Sequence, residues 1–208
     1  MSPSAAWTGC VLAGGRSSRM GTDKAALVDR RRGSRTCVDA TALTLEDAGA
    51  RLVIVSGEHP WREAIADRAR HLGPLGGIAS VLASFRDGEI VLVTPVDMPL
   101  LTASDFTHLV EEIVRGAAAT SYESLPLPFA LRCSPAALRL AEIRLAAGTA
   151  QSSVRGWLRD LEASALPLPI DTAPFVSIDT PTAWERYEAG LPVPAASTRT
   201  SRADASNT

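Results

Sequence analysis

Gly14, Gly15 and Gly21 share a short stretch with the cations Arg16, Arg19 and Lys24, directly after the apolar run Trp7–Leu12. Glycine lacks the Cβ that would hold an anion away from the backbone, and it adopts positive φ freely. Consecutive N–H groups can then converge on a phosphate while the cations neutralise it. The spacing departs from two common phosphate loops. A Walker loop ends in Gly-Lys-Ser/Thr, whereas Thr22 and Asp23 separate Gly21 from Lys24, and the adjacent Gly14 and Gly15 break the G-x-G-x-x-G rhythm of dinucleotide folds. GTPase and dehydrogenase chemistry are thereby disfavoured.

Asp97 is the second candidate. It follows the strongest apolar run of the chain, residues 89–94, and lies between Pro95 and Pro99, which restrict the turn around it. A hard cation such as Mg2+ takes oxygen ligands and commonly only one or two protein carboxylates, phosphate and water supplying the rest. The competing reading is an aspartate that caps the following helix. Asp179 offers a second carboxylate, and Asp179-Thr180-Pro181 equally reads as a helix N-cap. His59, His71 and His108 show no spacing to one another or to a Ser or Cys nucleophile, so a covalent route is not indicated. Cys10, Cys37 and Cys133 are odd in number and far apart, which excludes a disulfide framework and a zinc spacing and predicts three small buried hydrophobes.

The elements that must position these groups alternate. Trp7–Leu12 predicts a buried strand, 41–48 a helix, 51–56 a strand, and 61–70 a second helix from alanine and charge at helical spacing. Residues 73–77 predict a loop, 78–85 a helix and 89–94 a central parallel strand, after which Ser104 is the expected N-cap of an amphipathic helix. Residues 125–132 read as an edge strand interrupted by proline. Ser134-Pro135 opens a helix to 147, 153–161 is another, 175–178 is a last short strand, and Thr180-Pro181 opens a helix carrying Trp184 and Tyr187. This order predicts an α/β chain, a Rossmann-like three-layer α/β/α sandwich with a mostly parallel central sheet, forming one domain over 7–190. Residues 191–208 show no apolar periodicity and are expected to be a disordered tail.

A formal net charge of -2 argues against a globally basic nucleic-acid footprint. No stretch approaches the roughly twenty apolar residues of a membrane span, and the N-terminus lacks a secretory pattern, so a cytoplasmic protein is expected.

The string Leu12-Ala13-Gly14-Gly15-x-Ser17-x-Arg19-Met20-Gly21-x-Asp23-Lys24 resembles the loop of the MobA-like nucleotidyltransferases. Gly73-Pro74-Leu75-Gly76-Gly77, Asp97-Met98-Pro99 and the segment from Phe175 to Pro181 agree in order. Overall the chain is most similar to the molybdenum cofactor guanylyltransferases among them. The resemblance implies transfer of GMP from GTP to the phosphate of molybdopterin with release of pyrophosphate, and transient contact with molybdoenzyme maturation proteins. It implies that the backbone of Leu12, Ala13, Gly14 and Gly15 holds base and phosphates, and that Arg19 and Lys24 neutralise the triphosphate. Gly76 and Gly77 would approach the base or ribose, and Asp97 would carry Mg2+, with Asp179 as a second ligand.

Departures from the family pattern keep two alternatives open: cytidylyl or other nucleotidyl transfer to a small phosphorylated acceptor, and a nucleotide-binding relative without turnover. The guanylyltransferases more often carry Asn where this chain has Ser177 and Asp179. His71-Leu72 runs directly into Gly73, so the strand and aspartate that relatives place before this loop are expected to be missing. Arg30, Arg31, Arg32 and Arg35 replace the family's short Gly-Lys-Pro-Leu turn, either as a solvated charge run or as an acceptor-phosphate site.

Overall fold

Along β1 (Trp7–Leu12) the side chains alternate between two cores, Trp7 and Val11 entering one, Cys10 and Leu12 the other. β4 (Leu52–Ser56) and β6 (Ile90–Pro95) repeat the alternation: Val53, Val55, Ile90 and Leu92 join the first core, and Ile54, Val91 and Val93 the second. Strands buried on both faces need apolar residues at every position, which is why they read as continuous runs.

The computed structural model describes residues 5–13, 24–57, 59, 62–67, 72–148 and 151–194. Among these, β1, β4 and β6 are joined in the central sheet by β5 (Ala64–Ile65), β7 (Ala119–Tyr122), β8 (Phe129–Arg132) and β9 (Ser164–Leu166), in the order β5-β4-β1-β6-β8-β7-β9. β8 runs antiparallel to both its neighbours, and the remaining pairs are parallel. A separate hairpin pairs β2 (Val28–Asp29) with β3 (Arg35–Thr36). α1 (Cys37–Asp47) and α3 (Ala103–Val114) pack on the first core; α2 (Gly73–Leu82), α4 (Pro135–Ala146) and α5 (Val154–Asp160) pack on the second. The predicted three-layer α/β/α sandwich is thus the observed architecture.

Serine and threonine caps set the helix starts. Ser134, Ser153 and Thr180 each accept a backbone N–H from the first turn of α4, α5 and α6 (Pro181–Glu188); the openings at Ser134-Pro135 and Thr180-Pro181 are as expected from sequence, and Ser153 caps its helix rather than belonging to it. α3 differs: its cap is Thr102, whose N–H and hydroxyl both donate to Asp105, so Ser104 sits inside the helix.

Other expectations are corrected. Within 61–70 the structure holds β5 rather than a helix at residues 64–65. β4 offers an open edge there, and Val55 N–H donates to Glu63 O while Gly57 N–H donates to Ile65 O, which outweighs weak helix propensity. The glycine stretch 73–77 is the start of α2, with Pro74 in its first turn. β8 is interior rather than an edge, because Pro126 and Pro128 fall before it. Residues 175–178 form no strand: a 3-10 turn covers Ala173–Phe175, and Ile178 N–H bonds to Asp97 O instead of a ladder partner.

Candidate active site

Parallel β1, β4 and β6 end on the same sheet edge, and Leu12 pairs in register with Ser56 and Pro95 there. Ala13 follows, half-buried. Gly14, Gly15 and Arg19 lie outside the described residues.

Asp97 stands just beyond β6 with its side chain 24% exposed. Its Oδ2 accepts the Lys24 ammonium at 3.0 Å and the Ser177 hydroxyl at 2.9 Å. Ile178 N–H donates to the Asp97 carbonyl at 2.7 Å, which seats the 177–178 segment on the turn after β6. The Lys24 side chain is only 17% exposed, so this ion pair feels less screening than a surface pair. The capping role is filled by Thr102, so Asp97 is not the cap of α3. The same holds at the C-terminus, where Thr180 caps α6 and half-buried Asp179 precedes it. Asp179 therefore follows directly on a segment hydrogen-bonded to Asp97.

Ser177 was not assigned a role from sequence. Its contact with Asp97 spans 80 positions, and a lone hydroxyl carries no local signal of so distant a partner.

The strand and aspartate expected to be missing before Gly73 are present in another form. β5 extends the sheet beside β4, and Asp67 follows it with Oδ1 3.4 Å from Ser56 Oγ. A Cβ on Gly77 would stand 2.6 Å from that hydroxyl and 3.2 Å from Asp67 Oδ1, so glycine lets α2 start against this polar pair. Gly76 is constrained by the chain itself, since a Cβ there would meet Leu72 Cβ at 2.5 Å.

The arginine run divides: Arg30, Arg31 and Arg35 stay exposed as a solvated run would, while the backbone of the turn and the Arg32 side chain are tied into the fold. Asp29, 0% exposed, accepts N–H groups of Arg31 and Arg32, and Arg32 donates to Ala40 O and Thr44 Oγ1 on α1. Arg31 Nη1 donates to Tyr187 O at 2.9 Å. The free thiols of Cys10, Cys37 and Cys133 are all buried, and burial pushes each up to about 12. They cannot serve as thiolate nucleophiles near neutral pH. Among the described residues no group of three or more His, Cys, Asp or Glu could hold a metal on its own. Farther along the edge a cleft of about 240 Å³ opens beyond β7, lined by Tyr122, Leu125, Pro126, Arg155 and Arg159 among others.

Residues 9–165 match the MobA-like NTP transferase domain. The chain is 42% identical to the molybdenum cofactor guanylyltransferase of Xanthomonas euvesicatoria pv. vesicatoria (strain 85-10), an alignment covering 86% of this chain and 93% of that protein. Identity is 32% to the probable molybdenum cofactor guanylyltransferase of Opitutus terrae (strain DSM 11246 / JCM 15787 / PB90-1), over 79% of this chain and 85% of the relative. The crystal structure of molybdopterin-guanine dinucleotide biosynthesis protein A from Archaeoglobus fulgidus superposes with a TM-score of 0.69 at 19% identity, covering 88% of this chain and 97% of that one. At that identity the last likeness speaks to the fold.

Proposed function

We propose, for a chain that belongs to the MobA-like NTP transferase family, that it is a molybdenum cofactor guanylyltransferase. An oxygen of the molybdopterin phosphate attacks the α-phosphorus of GTP in line. The new P–O bond forms as the bond to the bridging oxygen of the β-phosphate breaks, and pyrophosphate leaves. The acceptor phosphate is already ionised near neutral pH, so no general base is required. Positioning and charge neutralisation carry the rate. The observation that carries this reading is the pairing of Asp97 with Lys24 on the edge where β1 delivers Leu12 and Ala13.

Lys24 would meet charge on the triphosphate, with Arg19 as a further cation. Leu12, Ala13, Gly14 and Gly15 would offer backbone groups to the nucleotide, and Gly76, Gly77 and Asp67 would border the base or ribose. Mg2+ suits this donor set. The described residues contain no multi-carboxylate cage, and Asp97 offers one partly exposed carboxylate, as expected where nucleotide phosphates supply most of the ligands. Asp97 would hold the ion, with Asp179 as the second carboxylate, and the ion would neutralise phosphate charge. The cleft beyond β7 lies two strands from β6, about 10 Å along the edge, and would take the remote end of the acceptor. We place the activity in the cytoplasm; no described helix is long and apolar enough to cross a membrane. Transient contact with molybdoenzyme maturation proteins would then deliver the product.

The test incubates purified protein with molybdopterin, Mg2+ and each NTP in turn while following pyrophosphate. Release with GTP, and little with CTP or ATP, is expected. Preferential use of CTP would move the protein to cytidylyl transfer, and binding without release from any nucleotide would make it a non-catalytic relative.

A further inference from the structure

Two donors meet on Asp97 Oδ2, and neither stands on the central sheet that carries it. Lys24 opens the 3-10 turn Lys24–Ala26, and Ser177 lies in the irregular stretch between Ala173–Phe175 and α6. Both must nevertheless be held within hydrogen-bond distance of one oxygen. The element that joins them is Asp29, at the end of β2 a few residues beyond Lys24. Its Oδ1 accepts the N–H groups of Arg31 at 3.0 Å and Arg32 at 3.1 Å, and its Oδ2 accepts the Tyr187 hydroxyl at 2.7 Å. Tyr187, 1% exposed, sits on α6, the helix that Ser177 leads into. Arg31 closes the knot from outside: its guanidinium lies 4.8 Å over the Tyr187 ring and donates to the Tyr187 carbonyl, while Arg30 N–H donates to Glu188. A buried carboxylate persists only where its acceptor sites are filled, so this group of bonds forms or breaks together.

We infer that Asp29 and Tyr187 are positioning residues, whose hydrogen bond ties α6 to the β2–β3 hairpin and thereby fixes Lys24 and Ser177 on Asp97. The inference rests on the reading of Asp97 and Lys24 as the reaction centre. It also gives the arginine run a purpose: the turn that replaces the family's Gly-Lys-Pro-Leu segment closes on Asp29. Burial, with Asp29 beside it, raises the Tyr187 pKa and keeps its hydroxyl a donor.

The test is Tyr187→Phe, which keeps the ring and removes the donor. Transfer of GMP should lose about tenfold in kcat with KM for GTP within about twofold. Combined with Ser177→Ala, the losses should be less than multiplicative, because both act through the same contact. An activity-independent readout is amide exchange at Ile178, whose N–H bonds to Asp97 O; it should rise about tenfold while the β6 amides stay protected. If Tyr187→Phe does not fold, Arg31→Met loosens the same knot from its exposed side and should shift Ile178 in the same direction. Unchanged Ile178 exchange with multiplicative kinetics would overturn the inference. Faster exchange in a protein whose wild type releases no pyrophosphate from GTP would uphold the positioning role and reject the guanylyltransferase reading instead.

Discussion

Ser177 Oγ donates to Asp97 Oδ2 across 2.9 Å, though 80 positions separate the two residues. The hydroxyl supports a carboxylate that also faces Lys24, so its removal should be felt in the reaction rather than in the fold. Ser177→Ala is expected to cost about 1 kcal/mol, roughly fivefold in kcat/KM, with little change in Tm. Ser177→Asn keeps a donor and should recover most of the loss. Steady-state pyrophosphate release by the two variants checks both expectations, and equal turnover by Ser177→Ala would remove the residue from the site.

Asp97→Asn should leave the fold intact, because the helix caps nearby belong to Thr102 and Thr180, with a modest drop in melting temperature from the lost charge opposite Lys24. Turnover should fall by about a hundredfold or more, since an amide is a poorer ligand for a hard cation and the phosphate charge is left uncompensated. Titrating Mg2+ against turnover tests the assignment. Near wild-type rates at limiting Mg2+ would reject it.

Gly77→Ala puts a methyl 2.6 Å from Ser56 Oγ, closer than atoms tolerate, so the Ser56 hydroxyl must move and Asp67 with it. Gly77 is buried in α2, so the methyl has to be taken up by that displacement; the fold should survive with a lowered Tm. We expect GTP affinity to fall about tenfold, read by nucleotide titration. A variant that binds GTP as the wild type does would place the base away from this polar pair.

Cys10, Cys37 and Cys133 should resist thiol reagents in the native protein. With burial holding each thiol near 12, only about one molecule in ten thousand is a thiolate at pH 8, and access is blocked as well. Three equivalents should react only after denaturation. Rapid labelling of a native cysteine would show that one of the two cores opens readily.

The double-sided strands were legible because burial on both faces leaves an unbroken apolar run, and Asp97 was legible because it follows such a run between two prolines. The helix openings at Ser134-Pro135 and Thr180-Pro181 were readable for a local reason, each cap lying next to the turn it satisfies. What escaped reading depends on partners far away in sequence. β5 is two residues long and exists through its pairing with β4, so the alanine and charge around it spoke for a helix. β9 is likewise short and only partly buried. The docking of Arg31 and Arg32 turns on a carboxylate and a helix that meet only in the folded chain. Ser177 belongs with these: its residue type was visible, its proximity to Asp97 was not.

The order in which the reaction centre is made has its own consequence during synthesis. Asp97 leaves the ribosome 80 positions before Ser177, a lag of roughly 4 to 16 s at ordinary elongation rates. In that interval the first sheet strands can pair, while the carboxylate still lacks its Ser177 donor. The chemistry is therefore completed last: translation arrested before Ser177 would leave Asp97 without its Ser177 donor and buried Asp29 without the Tyr187 hydroxyl.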